Sequence, residues 1–431
     1  MKIGLIQNEA VVGDLSHNLR LVVQGYRQCL DRGADLVVAS AQALDGAFLH
    51  DLAARSSFRL QACAALEALA GETRLPLLLA SYAGLPDEPV QVRPYLLCQG
   101  KVRRLTNRRV VSICGLRLLP DAGDTPTPVE NKGADVILHL PGAPWWLGQV
   151  EQWQKLISHE AEKTSANVLL LRGIGCTEGQ LAPGGSLAAT PHGGRLNLPL
   201  FEPAARIWRA AATAAAKVPP VGEQLLKAIC YGLKTSLEQG GYEGLAVAAD
   251  ATPHVPLLLG LARVAVGARR TVALCKQQTP ACALAGKRCE LTPAQACERG
   301  LLMLSPHSLN QRLLGEPAAP LPAASVAPLG EVYESELAQL QACLSSRLPV
   351  PLRKLLTPCR PAEHEESLRL LAEENASPAE ISARYPGIDE ATLRRQLRMW
   401  ASAAPLLRTA PAPLSMRRHL VHLPVGHRLH E

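Results

Sequence analysis

The stretch V-A-A-D-A-T-P-H-V-P-L-L-L, Val247 to Leu259, reads as a short buried strand that turns directly into an apolar helix. In α/β folds such a junction commonly carries a glycine-rich loop whose backbone N–H groups close around phosphate. This junction has no glycine, and Pro253 has no N–H to offer. The strand-turn-helix pattern sets the fold class, and the missing glycines pose the functional question.

Around it, the chain alternates strands and helices. Strand patterns at Gly244 to Ala249, Thr271 to Lys276 and Leu301 to Ser305 surround the junction. Earlier ones fall at Lys2 to Gln7, Asp35 to Ala39, Leu75 to Tyr82, Ala134 to Leu140 and Asn167 to Leu171, with helical patterns at Leu19 to Leu30 and Val150 to Thr164. The layout is α/β throughout. The alanine-rich run Arg209 to Lys217, stopped by Val218-Pro219-Pro220, marks a boundary. The expected division is a first domain over 1–208, a linker over 209–222 and a second domain over 223–431. Pro317 to Pro328 has no periodicity and is expected to be a loop. Ser377-Pro378-Ala379-Glu380 is a capping box, and Asp389 caps a further helix with Leu393, Leu397 and Trp400 on one face. The tail beyond Trp400 is rich in proline and arginine and carries His419, His422, His427 and His430 without accompanying carboxylates, which suits a solvated or interface segment better than a metal site.

Composition excludes several classes of function. The chain has 431 residues, 47% of them hydrophobic, with no charge-free run long enough for a membrane span. It opens directly on a strand-like run, so the expected location is the cytoplasm, with no membrane partner. The net charge of +7 is spread along the chain, and aromatics make up only 3%, too few to stack bases, so nucleic acid is not an expected partner. Twelve cysteines without a secretory leader are read as reduced thiols. Cys275, Cys282, Cys289 and Cys297 recur at intervals of seven or eight residues, a spacing without the C-x-x-C pair of a compact zinc site, and no metal site is expected.

Five segments of the first half now become informative together. They are I-G-L-I-Q-N-E-A-V-V-G-D-L-S-H-N from Ile3, G-A-D-L-V-V from Gly33, S-I-C-G-L-R-L-L-P-D from Ser112, G-A-D-V-I-L from Gly133 and P-G-G-S from Pro183. In order and spacing this series resembles the glutaminase domain of glutamine-dependent NAD synthetases. The second half continues the likeness through G-Y-E-G-L-A-V-A-A-D, V-A-P-L-G-E-V-Y-E-S-E-L (Val326 to Leu337) and R-T-A-P-A-P-L (Arg408 to Leu414). The resemblance covers essentially the whole chain. It implies a nitrilase-like α-β-β-α sandwich followed by a Rossmann-like PP-loop ATP pyrophosphatase domain. In that family the first domain hydrolyses glutamine with a Cys-Glu-Lys triad and passes ammonia on. The second uses ATP and Mg²⁺ to adenylate deamido-NAD, from which ammonia displaces AMP.

Set against the family motifs, both sites are depleted. The family nucleophile lies in I-C-E-D-x-W-F-P-D, which aligns without a gap on I-C-G-L-R-L-L-P-D, so Cys114 is the retained nucleophile position. The family F-P-E-L-x-L-T-G corresponds to A-S-A-Q-A-L-D-G from Ala39, which puts Ala41 where the general base should be. The segment holding the family lysine is shortened, and Arg108 is its approximate counterpart, able to carry charge but not to exchange a proton. Loss of a general base costs about 10²–10⁴ in rate.

The family loop S-G-G-x-D-S corresponds to Ala249, Asp250, Ala251, Thr252, Pro253 and His254. The replacements add Cβ atoms, a negative charge and a proline where close backbone approach and N–H donors are needed. G-N-K-S-E corresponds to Pro306-His307-Ser308-Leu309-Asn310, and the lysine of Y-K-T-E corresponds to Glu334. None of ATP, Mg²⁺ and deamido-NAD is therefore expected to be retained. The expectation is a pseudoenzyme that works by association, as a homo-oligomer or with an active NAD synthetase. The alternatives are an NAD synthetase of reduced or altered activity, an amidase acting through Cys114, and a ligand-binding sensor.

Overall fold

The computed structural model describes residues 2–210, 217–249, 253–276, 279–313, 325–359, 365–372, 376–385, 389–395, 412–413 and 416. The chain divides into two compact units, Met1–Pro219 and Pro220–Glu431.

The first unit runs β1 (Ile3–Gln7), α1 (Leu15–Asp31), β2 (Leu36–Ala39), α2 (Ser56–Gly71), β3 (Leu77–Ser81), β4 (Arg93–Cys98), β5 (Lys101–Arg104), β6 (Val111–Ile113), β7 (Leu116–Gly123), β8 (Val136–Pro141), α3 (Gln149–Thr164), β9 (Asn167–Leu170), β10 (Ile174–Thr177), β11 (Gln180–Pro183), β12 (Leu187–Ala189), β13 (Arg195–Asn197) and β14 (Ala204–Trp208). Two six-stranded sheets form, in the orders β14-β1-β2-β3-β4-β5 and β13-β12-β9-β8-β7-β6. β1, β2 and β3 are parallel to one another, as are β7, β8 and β9.

Alternation along the strands builds the layers. Ile3, Leu5, Leu36, Val38 and Leu78 point from the first sheet into a core shared with Leu118, Val136, Leu138, Leu140 and Leu169 of the second. The intervening residues Ile6, Val37, Leu77 and Leu79 face Val22, Tyr26, Leu66 and Leu69 of α1 and α2. α3 buries Val150, Trp153, Ile157 and Ala161 and packs on β9 and β12. Each such side chain contributes roughly 1.5–3 kcal/mol when fully buried. The result is the expected α-β-β-α sandwich. Gly4 allows α1 to lie close on β1, since a Cβ there would stand 2.7 Å from the Cβ of Cys29.

The second unit runs α4 (Val221–Gln239), β15 (Gly244–Ala248), α5 (Val255–Val266), β16 (Thr271–Leu274), β17 (Lys287–Cys289), α6 (Pro293–Glu298), β18 (Leu301–Leu304), α7 (Leu309–Leu313), β19 (Ser325–Ala327), α8 (Glu334–Arg347), α9 (Val350–Arg353), α10 (Glu365–Ala372), α11 (Pro378–Arg384) and β20 (Ala412–Pro413). Its sheet has the order β17-β16-β15-β18-β19-β20, and every pair is parallel. The order reverses between β15 and β18. A crevice at the carboxyl ends of those two strands is where doubly wound folds place their ligands. Gly222 lets α4 approach α8, because a Cβ there would fall 2.4 Å from the Gln339 carbonyl oxygen.

Several sequence expectations shift. Val221 and Gly222, expected in the linker, already belong to α4. Within the expected loop over Pro317 to Pro328, residues 325–327 form β19 and pair with β18, while 317–324 lie outside the described residues. The capping box at Ser377 is present, and Asp389 accepts a hydrogen bond from the Thr392 N–H, with Leu393 buried. Leu397, Trp400, Arg408 to Pro411, Leu414 and the four tail histidines lie outside the described residues. Among the described residues no helix is long and apolar enough to cross a membrane, and no group of three or more His, Cys, Asp or Glu residues is placed to hold a metal ion.

Candidate functional sites at the strand ends

In the first unit the sequence singles out Cys114, Ala41 and Arg108, and the structure does not bring them together. Cys114 and Gly115 form the two-residue turn between β6 and β7, with φ of 49° and 78°, the left-handed pair of a type I′ hairpin. The thiol is exposed, and its Sγ lies 3.8 Å from the carbonyl oxygen of Asp35, at the start of β2. Ala41 follows the other end of β2. It is buried in the core between the sheets, and its N–H reaches the Leu171 carbonyl. Cys114 therefore sits at the entry end of these parallel strands and Ala41 at the exit end.

Arg108 belongs to a different face again. It also has a left-handed backbone, φ 55°, and its Nε donates to Asp121 Oδ1 at 2.7 Å. Asp121 alternates out of the inter-sheet core toward α3, where His139 lies between two carboxylates: Nδ1 is 3.0 Å from Asp121 and Nε2 is 2.8 Å from Glu160. Burial alone would draw the His139 pKa down. The hydrogen bonds and charges of Asp121 and Glu160 outweigh it and hold the imidazole up at about 9. Arg108 thus braces a buried ionic chain between β7, β8 and α3.

The exit end of β7 carries Ala122, Gly123 and Asp124. Here Gly142 donates to the Gly123 carbonyl, and the Gln42 amide lies so close that a Cβ on Gly142 would fall 2.6 Å from Gln42 Nε2. A cleft of about 600 Å³ opens beside this strand end, lined by residues including Tyr82, Arg93, Arg104, Asn107, Gly123 and Asp124. No cysteine lines it. Cys114 thus stands at the opposite end of β2 from Ala41, because the turn that holds it opens the eight-residue strand β7.

Sequence reasoning also passes over Asp45. Its carboxylate is fully buried behind Tyr82, accepting from the Ser81 hydroxyl at 2.9 Å and the Tyr82 N–H at 2.6 Å. Burial pushes its pKa up to about 6, with those two hydrogen bonds pulling the other way. The only local signal is an Asp-Gly pair, which reads first as a turn.

In the second unit, Asp250, Ala251 and Thr252 lie outside the described residues, whereas Ala249, Pro253 and His254 are placed. Ala249 continues β15, its N–H bonded to the Leu274 carbonyl. His254 is the N-cap of α5 but makes no side-chain cap, and Pro256 in the first turn removes another N–H. The buried imidazole turns across the crevice: Nε2 is 3.0 Å from Glu334 Oε2, and Nδ1 is 3.2 Å from Gln311 Oε1. Glu334 also accepts from the Ser308 hydroxyl at 2.6 Å, and its N–H donates to Asn310 Oδ1. Glu334 and the hydrogen bonds around His254 hold the imidazole pKa above its ordinary value despite burial, and the Glu334 carboxyl is lowered in return. Side chains that follow β15 and β18 thus meet the start of α8 across the strand-order reversal.

No established protein-family profile matches the chain. It is 25% identical over 306 residues to the glutamine-dependent NAD(+) synthetase of Rhodobacter capsulatus, a match covering 62% of this chain and 55% of that protein. Over 99% of its length it superposes on the ADP complex of the glutamine-dependent NAD(+) synthetase from Acinetobacter baumannii, with a TM-score of 0.70 at 15% identity. It superposes equally widely on the enzyme from Cytophaga hutchinsonii, with a TM-score of 0.78 at 9% identity, and covers 97% of each of these two structures. In sequence and in fold the chain is similar to glutamine-dependent NAD(+) synthetases.

This NAD(+) synthetase relative spans 55% of the curated protein it matches. The family as a whole uses ATP and Mg²⁺. The fold is shared end to end with two solved glutamine-dependent NAD(+) synthetases.

Proposed function

We propose that this protein is a pseudoenzyme built on the NAD(+) synthetase scaffold, acting through association with an active NAD synthetase or through regulation of NAD biosynthesis. The observation that carries this reading is the His254–Glu334 pair. It places a carboxylate and a buried imidazole where the resemblance puts the lysine and the end of the pyrophosphate loop. The described residues do not fit ATP with Mg²⁺. Pro253 and Pro256 take two N–H donors from the start of α5, and Glu334 presents negative charge to any phosphate. In the first unit Cys114 and Ala41 lie at opposite ends of β2, so the thiol does not face the position where the resemblance puts a general base. Cys114, exposed in a hairpin turn, has its thiol pKa raised, first by burial of the sulfur and then by Cys98 and Asp35, which works against a thiolate nucleophile.

The test is calorimetry of the full chain against ATP with Mg²⁺, deamido-NAD, NAD and glutamine, together with an NAD-formation assay fed glutamine or ammonia. The reading expects no turnover, and recovery of a catalytic NAD synthetase when the protein is isolated from its own cells. Turnover, or recovery only as a free monomer, would sink it. A second reading is favoured by one observation, the polar cleft of about 600 Å³ at the end of β7. As a sensor of a small polar ligand, the protein would show saturable binding without turnover, lost on substitution of Asn107 or Asp124.

A further inference from the structure

Two thiols lie in contact in the second unit. Cys275 follows β16 and Cys282 sits in a 3₁₀ turn over Pro280–Leu284, with their Sγ atoms 3.1 Å apart and neither in a disulfide. The backbone holds both ends. The Cys275 N–H donates to the Cys289 carbonyl of β17, and the Cys282 N–H donates to the Thr279 carbonyl. The Thr279 hydroxyl lies 3.3 Å from Cys282 Sγ. Cys282 is buried and Cys275 is half-buried.

The environment separates the two sulfurs chemically. Burial raises the pKa of Cys282, but Thr279, the Cys275 thiol and the Arg288 charge outweigh it and leave the thiol more acidic than usual. Cys275 moves the opposite way, driven first by burial and then by its neighbour. An acidic thiol touching a more basic one is the arrangement of a nucleophile with its resolving partner.

We propose that Cys275 and Cys282 form a reversible disulfide site that reacts with small-molecule disulfides. The Cys282 thiolate attacks one sulfur of R–S–S–R, forming a mixed disulfide and releasing R–S⁻. Cys275 gives its proton to solvent, attacks the Cys282 sulfur and expels the second R–S⁻. The two protein thiols are oxidised, and one R–S–S–R is reduced to two R–SH. The site adjoins the crevice, because the Leu274 carbonyl, one residue before Cys275, accepts from the Ala249 N–H at the end of β15. The inference stands whether or not the protein is catalytically silent.

The experiment exposes the full-length protein to oxidised glutathione, blocks remaining thiols with iodoacetamide and maps peptides without reduction. A Cys275–Cys282 cross-linked peptide is expected, with alkylation of both residues reduced by at least about tenfold and restored by dithiothreitol. A trivalent arsenical, which bridges paired thiols, should be retained by the unoxidised protein and released by Cys275→Ser and by Cys282→Ser. In the Cys275→Ser variant, Cys282 should stop at the mixed glutathione disulfide, a readout that needs no activity. If both residues alkylate after oxidation as fast as before, or the arsenical binds both variants as well as the unaltered chain, the proposal fails.

Discussion

His254 Nε2 lies 3.0 Å from Glu334 Oε2, joining the N-terminus of α5 to the N-terminus of α8 across the point where the strand order of the second sheet reverses. Both groups are largely buried, so the pair is a structural tie and not a surface contact. Removing one partner leaves the other without its counter-charge. Glu334→Ala and His254→Ala are each expected to cost about 3–5 kcal/mol in urea unfolding. The double variant should cost clearly less than the sum, and strict additivity would show that the two do not act as a unit.

The ionic chain in the first unit predicts a pH dependence. His139 has its pKa raised to about 9 from an unfolded value near 6.5, so its stabilisation is fully present below about pH 6.5 and is lost as pH rises through 9. The loss is on the order of 3 kcal/mol. Four of the five tryptophans, Trp145, Trp146, Trp153 and Trp208, lie in this unit, so their fluorescence follows its unfolding. A His139→Gln variant should be less stable at pH 6 and should lose the decline between pH 6.5 and 9.

Asp45 predicts dependence at lower pH. Its folded pKa of about 6 lies above its unfolded value, so the folded chain holds the proton more tightly, and this contribution is lost as pH rises from about 4 through 6. Asp45→Asn keeps the shape without the titration. Relative to the unaltered protein, the variant should gain on the order of 2–3 kcal/mol between pH 4 and pH 7. A constant difference across that range would mean that the carboxylate is ionised in both states.

Cys114 is expected to be dispensable. At φ 49°, followed by Gly115 at φ 78°, it occupies a turn position where asparagine is preferred over other side chains. Cys114→Asn should raise stability by about 0.5–1 kcal/mol and leave every measured binding event unchanged. A loss of ligand binding in this variant would return Cys114 to a functional site.

Much of the fold was legible because buried parallel strands are apolar on both faces. Asp35 to Ala39 and Leu75 to Tyr82 contain β2 and β3, and the helical pattern from Val150 to Thr164 is α3 but for one residue. Two of the missed elements lack that pattern. β5 is Lys-Val-Arg-Arg and largely exposed, held in place by pairing with β4. β19 is Ser-Val-Ala after a proline-rich run, held by β18. For the sites, the sequence named residue types at particular positions but not which of them stand together. An ungapped alignment counts residues, whereas a hairpin decides which of them reach the end of a strand.

By itself the sequence determined the α/β class, the likeness to NAD(+) synthetases and the absence of glycine between Val247 and Leu259, because those depend on residue type at a local spacing. Only the tertiary structure decided that Cys114 stands at the opposite end of β2 from Ala41, and that Arg108 serves Asp121 and the buried His139. It alone showed that His254 and Glu334 meet across the crevice, from residues 80 positions apart in the chain. Those outcomes depend on which strand ends and helix starts the packing brings together.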